Sequence, residues 1–582
     1  MKKICFLLLI AAASLLTGCS VRNGVYTVEL CATNDLHGRY FDSLYVENNV
    51  HPHSLANVSE YVNQLRAANG NGGVLLVDVG DALQGDNAVF YSNFIDTADH
   101  SKKHLFTRVA EYIGFDALIV GNHDIEAGHS VYDRVLKETK IPYLAANAID
   151  VNTGKPYFKP YAVFNKNGLK IAVIGMTNPN IKKWLGEELW HGMDFTEIEE
   201  KAQQIINSLK ANEKPDVIVL AVHAGIGRGL ETDVENPARY LAHKLDGVDV
   251  VLAAHDHQTA CEKVASLHEN RDSVLVLDGS NRAKYLSKAT ITCEFQDGKL
   301  VSKNIAGELV PMENIPVDTA YTKAFREDFL NTKAFTNQEI GTLETEINTC
   351  DAFFGPSDYM NLIHNVQIAT SGAEISLAAP LTYNGTVKAG TVKYHDLFTI
   401  YPFENLLYVV SLTGAQIKDY LEYSYNNWIT TMNSPADHIM RIRFDEKRGR
   451  YSFMGMTYNY DSAAGLAYDV DVTKEKGERI IIHAMADGSP FDYNKTYKVA
   501  LSSYRANGGG DLLTEGAGIS KDQLESIVVT KYADIRSLVF DYFKNNSDKN
   551  VLAAAANWKF IPQSHVAKAL ERDRKLLFGP LK

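Results

Sequence analysis

The sequence predicts an α/β fold, and three observations carry that prediction. Short aliphatic runs recur through the first half of the chain: Val74-Leu75-Leu76-Val77, Ala117-Leu118-Ile119-Val120, Val217-Ile218-Val219-Leu220 and Val248 to Leu252. Between them lie amphipathic stretches with apolar residues at helical spacing, such as Leu55, Val58, Val62 and Leu65, or Ile198, Ala202, Ile205 and Leu209. Each run leads into a short polar cluster. Continuous β-branched runs of this length read as strands buried on both faces, with helices covering the sheet on each side.

The elements follow in order. Lys2-Lys3 precedes an apolar stretch from Ile4 to Leu16, a signal peptide (1–19) too short to span a bilayer. Its last residues, Leu16-Thr17-Gly18-Cys19, resemble a bacterial lipoprotein lipobox, which implies cleavage before Cys19 and lipidation of that residue. Several acyl chains anchor stably where one binds only marginally. Ser20 rather than Asp after the cysteine goes with the outer membrane, so the expectation is a lipid-anchored protein of the bacterial cell envelope.

Residues 25–310 form the α/β domain, and 311–340 lose the strand pattern and read as a linker helix, with Ala320 to Thr332 helical. A second, smaller domain of mixed α/β pattern covers 341–560. Its clearest unit is a strand from Leu406 to Leu412, then Thr413-Gly414 and a helix from Ala415 to Tyr423. The tail, 561–582, holds one more amphipathic helix from His565 to Phe578.

With 582 residues there is room for two or three domains, and 45% hydrophobic residues supplies a sizeable core. Fifty-eight basic against 71 acidic residues leave a formal charge of −13, which argues against long nucleic acid as a partner but allows a small anion held by metal ions. Cys5 and Cys19 belong to the leader; the spacing of Cys31, Cys261, Cys293 and Cys350 matches no zinc motif and fixes no disulfide pairing. The chain reads as a monomer.

The polar clusters are Asp35-Leu36-His37, Gly80-Asp81, Gly121-Asn122-His123-Asp124, His223-Ala224-Gly225 and His255-Asp256-His257. At the carboxyl ends of neighbouring strands, residues distant in sequence converge on one crevice. Asp35, His37 and His257 would hold one ion, and Asn122, His223 and His255 a second, with Asp81 bridging both. Mixed carboxylate and imidazole donors suit zinc, manganese, cobalt or iron. Two such ions activate a water and clamp a phosphate during in-line displacement. His123, next to a ligand, would face the open side and stabilise the transition state or protonate the leaving group.

This order of D-x-H, GD, GNHD, H and H-x-H resembles the calcineurin-like metallophosphoesterases. The chain after the leader is similar to the bacterial 5'-nucleotidase family, two domains joined by a helix. That family includes 5'-nucleotidases, UDP-sugar hydrolases and 2',3'-cyclic-nucleotide 2'-phosphodiesterase/3'-nucleotidases. The resemblance implies a four-layer α/β/β/α metallophosphoesterase domain over 25–310 and a 5'-nucleotidase-type substrate-binding domain over 341–560. It also implies the seven ligands already named, His123 as the catalytic histidine, and Glu126 as the acid that orients its imidazole. Ala254 stands where the family usually has glycine.

Tyr504-Arg505-Ala506-Asn507 followed by glycines resembles the family's base-binding loop, and Tyr401-Pro402-Phe403-Glu404-Asn405 its other clamp element. The resemblance thus implies substrate contacts from Tyr401, Phe403, Asn405, Tyr504 and Arg505, with Tyr401 slightly ahead of Phe403 as the second ring. Stacking between two rings supplies ~1–3 kcal/mol per base without strong choice among bases. Where 5'-nucleotidases carry Asn-Gly-Gly-x-Arg, this chain has Ser376-Leu377-Ala378-Ala379-Pro380, closer to the cyclic-phosphodiesterase branch; Phe403-Glu404-Asn405 is closer to the 5'-nucleotidases. The preferred expectation is a 2',3'-cyclic-nucleotide 2'-phosphodiesterase/3'-nucleotidase serving nucleotide salvage. A 5'-nucleotidase or UDP-sugar hydrolase is the alternative, and a non-catalytic lipid-anchored binding protein a distant one.

Overall fold

A computed structural model describes residues 22–43, 51–97, 102–268, 273–403, 405–446, 449–545 and 557–579. The leader and Cys19, together with Glu404, lie outside the described residues. Among the described residues no helix is long and apolar enough to cross a membrane.

The first domain is built on two six-stranded sheets. One runs, edge to edge, Lys299–Pro311, Tyr285–Gln296, Gly24–Thr33, Val74–Asp78, Ala117–Ile119 and Tyr143–Leu144, and the other runs Thr259–Ala265, Ser273–Gly279, Val250–Leu252, Val217–Val222, Leu169–Met176 and Tyr161–Lys166. In the first sheet the four strands from Gly24–Thr33 to the edge strand Tyr143–Leu144 run parallel and two antiparallel strands complete the other edge; in the second, four central strands run parallel and an antiparallel strand closes each edge. The sheets face each other across a core that includes Leu75, Val77, Ile119, Val217, Val219, Val250 and Leu252.

Helices cover only the outer faces. Leu55–Asn69 and Leu105–Ile113 pack Leu55, Val58, Val62, Phe106 and Val109 against the first sheet, and Ile198–Asn212 packs Ile198, Ala202, Ile206 and Leu209 against the second. The layers are therefore α/β/β/α. The aliphatic runs are buried on both faces because the second cover is another sheet; helices on each side of a single sheet, the reading from residues alone, is corrected here. Periodicity reports burial and does not say what does the burying.

Register sets up the site. Thr33 pairs with Asp78, and Leu252 with Ala221, so these parallel strands end level and the loops that follow leave from one edge.

Residues 311–340 hold two short helices, Thr319–Ala324 and Arg326–Thr336, broken at Phe325. The second domain has a five-stranded sheet ordered Ser462–Ala464, Ile375–Ala378, Thr496–Ser502, Leu406–Thr413 and Val528–Asp534. Thr413 caps the helix Gly414–Trp428 in a reciprocal pair with Gln416. The tail helix Gln563–Phe578 buries Val566, Ala569 and Leu577 in the core of this domain, and the preceding strand Asn557–Ile561 pairs with Leu466–Asp471. The tail is thus part of the second domain's packing.

Contacts between the domains in the described residues include two sets. Phe90 of the first sits in the second domain's core beside Phe335, Tyr394 and Phe398, with the Arg536 guanidinium over its ring. On the other side, Tyr408 Oη donates to Glu188 Oε1 at 2.9 Å, and Lys531 Nζ lies 3.6 Å from Glu188 Oε2.

Candidate active site

All seven expected ligands meet at the carboxyl edge of the paired sheets. Asp35, His37 and His257 form one group of converging ligand atoms, and Asp81, His223 and His255 a second. His257 Nε2 is 3.0 Å from His37 Nε2 and 3.6 Å from Asp35 Oδ1. His223 Nε2 is 3.0 Å from Asp81 Oδ2, 3.1 Å from Asn122 Oδ1 and 4.0 Å from Asp35 Oδ1, and His255 Nδ1 is 2.9 Å from Asn122 Oδ1.

Local backbone geometry explains why ligands follow strands so abruptly. Asp35, His37, Asp81, His255 and His257 all have left-handed φ, between 44° and 79°. Each such non-glycine residue costs on the order of 1–3 kcal/mol and persists only where its surroundings fix it. Here Asp35 N donates to Gly80 O at 3.0 Å, His37 N to Asp81 O at 2.9 Å, and His255 N to both Asp35 carboxylate oxygens at 3.1 and 3.0 Å. Gly121 completes the corner, because a Cβ there would lie 2.1 Å from Asp81 Oδ1. Ala254 does not need glycine: its φ is ordinary, and its side chain is buried between the sheets.

The residues fit two divalent cations. Two imidazole nitrogens face each other at 3.0 Å beside a carboxylate, an arrangement that a shared cation satisfies. The buried carboxylates also draw positive charge to the site. Burial depresses imidazole protonation, yet Asp81 and Asp35 push His223 up to about 10, and Asp81 and Glu126 push His123 up to about 9. Asp81 itself, despite burial, is held well below the usual carboxylate range by His223 and His123.

Backbone carbonyls fix two of the ligand rings, with His37 Nδ1 at 3.1 Å from Gln84 O and His223 Nδ1 at 2.7 Å from Val79 O. Asp124 sits beneath the cluster and accepts from the backbone N–H of Gly121, Asp81, Ala82 and Leu83 at 2.7–3.0 Å. His123 is anchored by its own N–H to Asp81 Oδ1 at 2.8 Å, and its Nδ1 is hydrogen-bonded to Glu126 Oε2.

The cluster opens into a cavity of about 500 Å³ between the domains, lined on one side by Asn122, His123, Trp184, Glu235 and His255 and on the other by Ala378, Phe403, Tyr458 and Tyr504. Tyr401 also borders it but is only 3% exposed and packs into the second domain's core, with its hydroxyl accepting weakly from Asn405 Nδ2 at 3.4 Å. That leaves no free face to stack on, so the preference for Tyr401 as the second ring is corrected in favour of the half-buried Phe403. Tyr504 is half-buried and meets Tyr458 edge-on at 6.4 Å. Gly509 lets the loop fold onto it, since a Cβ there would be 2.5 Å from the Tyr504 ring.

Arg505 has no donor left for a ligand. It is 3% exposed, and its guanidinium is spent on Asp461, Asn459 Oδ1, Gly509 O and Tyr458 O. The expected substrate contact is corrected to a brace that holds the loop. Cys31, Cys261, Cys293 and Cys350 are free thiols.

Sequence reasoning missed Trp184, at the end of the short helix Ile181–Trp184, Tyr458, in the 3-10 turn Thr457–Asn459, and Glu235, on a loop, because none of these segments carries a motif. Asp124 stood inside the quoted GNHD cluster, and its acidity at the third helical position was the available signal.

Comparison with known proteins agrees with this geometry. Residues 29–259 match the calcineurin-like phosphoesterase family model, and residues 339–515 match that of the 5'-nucleotidase C-terminal domain. The chain is 25% identical to the trifunctional nucleotide phosphoesterase protein YfkN of Bacillus subtilis over 92% of its own length, and spans 39% of that protein. It is 25% identical to a 5'-nucleotidase of Vibrio vulnificus, covering 86% of this chain and 89% of that one. A crystal structure of a putative 5'-nucleotidase from Staphylococcus aureus shares the fold with a TM-score of 0.73 at 20% identity, over 92% of this chain and 99% of the other.

Proposed function

Because the chain belongs to the two-domain 5'-nucleotidase family, metal-dependent phosphoester hydrolases built on a calcineurin-like domain, we propose that it opens 2',3'-cyclic nucleotides to 3'-nucleotides and then removes the 3'-phosphate. The observation that carries this reading is the wall opposite the metal cluster. Leu377, Ala378 and Ala379 line it, and the arginine that lines the cavity, Arg505, is wholly engaged within the protein. A phosphate monoester arrives as a dianion and gains most from extra cationic contacts. A cyclic diester carries a single charge and loses less where the wall is apolar, so this observation supports the ring-opening step; the 3'-monoester that follows is again a dianion and depends on the cations for its hold.

Asp35, His37 and His257 would hold one cation and Asn122, His223 and His255 the other, with Asp81 between them. Such ions polarise the phosphoryl group and sharpen a water into a nucleophile. The remaining work falls to side chains. Phe403 and Tyr504 stack the base, and the apolar wall excludes competing water. As water oxygen bonds to phosphorus the bond to the 2'-oxygen breaks, and His123 Nε2, its ring oriented by Glu126, delivers the proton that the 2'-oxygen takes up. Repetition at the 3'-ester releases phosphate and nucleoside. The lipobox at Cys19 supports placing this chemistry on a lipid anchor in the cell envelope, where RNA breakdown products would be salvaged.

Rates on 2',3'-cyclic AMP, 3'-AMP, 5'-AMP and UDP-glucose with added manganese test the assignment. The cyclic ester should exceed 5'-AMP in kcat/KM by about tenfold or more, a gap of ~1.4 kcal/mol. Faster turnover of 5'-AMP would move the protein to the 5'-nucleotidase reading, which Phe403 and Asn405 favour by their likeness to that branch.

A further inference from the structure

His255 is held differently from His37 and His223. Those two turn their outer nitrogens to backbone carbonyls. His255 Nδ1 faces Asn122 inside the cluster, while Nε2 lies 3.2 Å from Glu235 Oε1. The Trp184 indole lies flat against the same ring, with centroids 5.2 Å apart and planes 17° from parallel.

We propose that Glu235, backed by Trp184, is a positioning residue that fixes His255 as a ligand of the second cation. The proposal rests on the metal-centre reading above. A carboxylate at Nε2 holds the proton there, so the lone pair on Nδ1 faces Asn122 and the cluster. It also makes Nδ1 a stronger donor than a neutral carbonyl partner would. The indole removes the remaining freedom of the ring to tilt.

Glu235 is placed for this task. Its carbonyl accepts from Asn178 Nδ2 at 3.0 Å and Gly225 N at 3.3 Å, which pins the main chain and leaves the carboxylate available. Its side chain is 49% exposed, so it supports no hydrophobic core. It lines the same cavity as Tyr458 and Tyr504 of the second domain. A nucleotide seated there shields the carboxylate from water, and its hold on Nε2 tightens as the substrate arrives.

The test uses manganese-loaded full-length protein with Glu235→Ala and Glu235→Gln, titrated with a chelator while bound metal is counted. In Glu235→Ala one of the two equivalents should leave at ~10–100-fold lower chelator concentration, with the other retained as in wild type. Glu235→Gln should fall between, because its amide oxygen still accepts from Nε2 but carries no charge. kcat should drop in parallel at unchanged KM, and excess manganese should restore it. Equal melting temperatures of the metal-free proteins confirm that the fold is unaffected. The proposal is overturned if Glu235→Ala keeps both equivalents like wild type, or if KM rises while metal is retained, which would make Glu235 a substrate contact. Wild type that binds no metal would instead sink the metal-centre reading, and neither result depends on which ester is cleaved.

Discussion

Asp124 shows how much a single side chain can organise. Its two oxygens accept four backbone N–H groups, and those groups belong to the loops that carry Asp81 and Asn122. Asp124→Asn turns two hydrogens of an amide toward donors, and hydrogen bonds to a charged acceptor are worth ~1.5–3 kcal/mol each. The variant should lose at least ~3 kcal/mol in urea denaturation, and an unchanged midpoint would refute the organising role. At His123, replacement by Asn should lower kcat by ~10²–10⁴ with bound metal intact, since the ring moves a proton and ligates nothing in this arrangement. His364 supplies a pH prediction away from the metals. It is fully buried between Ser376 and Ser462, and burial pushes its imidazole down to about 3 from 6.5. The folded protein keeps it neutral while the unfolded chain protonates below 6.5. Its contribution is therefore complete above pH 6.5 and is lost as pH falls toward 3, at ~1.4 kcal/mol per pH unit. Between pH 7.5 and 5.0, wild type should lose more stability than His364→Gln, and equal losses would contradict the assignment.

At the scale of elements, the junctions between strand and loop hold the chemistry. A methyl group at Gly121 would meet the Asp81 carboxylate at 2.1 Å and its backbone N at 2.5 Å. Gly121→Ala should therefore keep its circular dichroism spectrum but retain less than one equivalent of metal after dialysis. These junctions were the most legible part of the sequence, because aliphatic runs followed by Asp, Asn and His advertise both the strand and what it delivers. The linker Phe325, where one expected helix becomes two, was not legible, since nothing in Ala320 to Thr332 breaks helical periodicity. The clamp was half legible. Tyr401 and Phe403 have the same character and alternate along the chain, and only packing decided which ring stays available. Arg505 was misread for a related reason: its partner Asp461 is 44 residues away, on another loop.

On the scale of the whole molecule, the two domains, each with its own packed interior, are joined through Phe90 on one side and Glu188 on the other. Removing a buried phenylalanine costs ~3–5 kcal/mol, and here part of that cost falls on the junction. The double variant Phe90→Ala, Glu188→Ala should unfold in two calorimetric steps, one per domain, where wild type shows a single one. A single step in the double variant would mean that the domains are coupled by other means.

The cavity between the domains takes its walls from both of them. Whatever occupies it works as a suture, lending each half the other's resistance to heat in proportion to how firmly it is gripped. In the split variant, a snug inhibitor would draw the two melting peaks back together, so occupancy of this cleft can be followed by a thermometer with no reaction taking place.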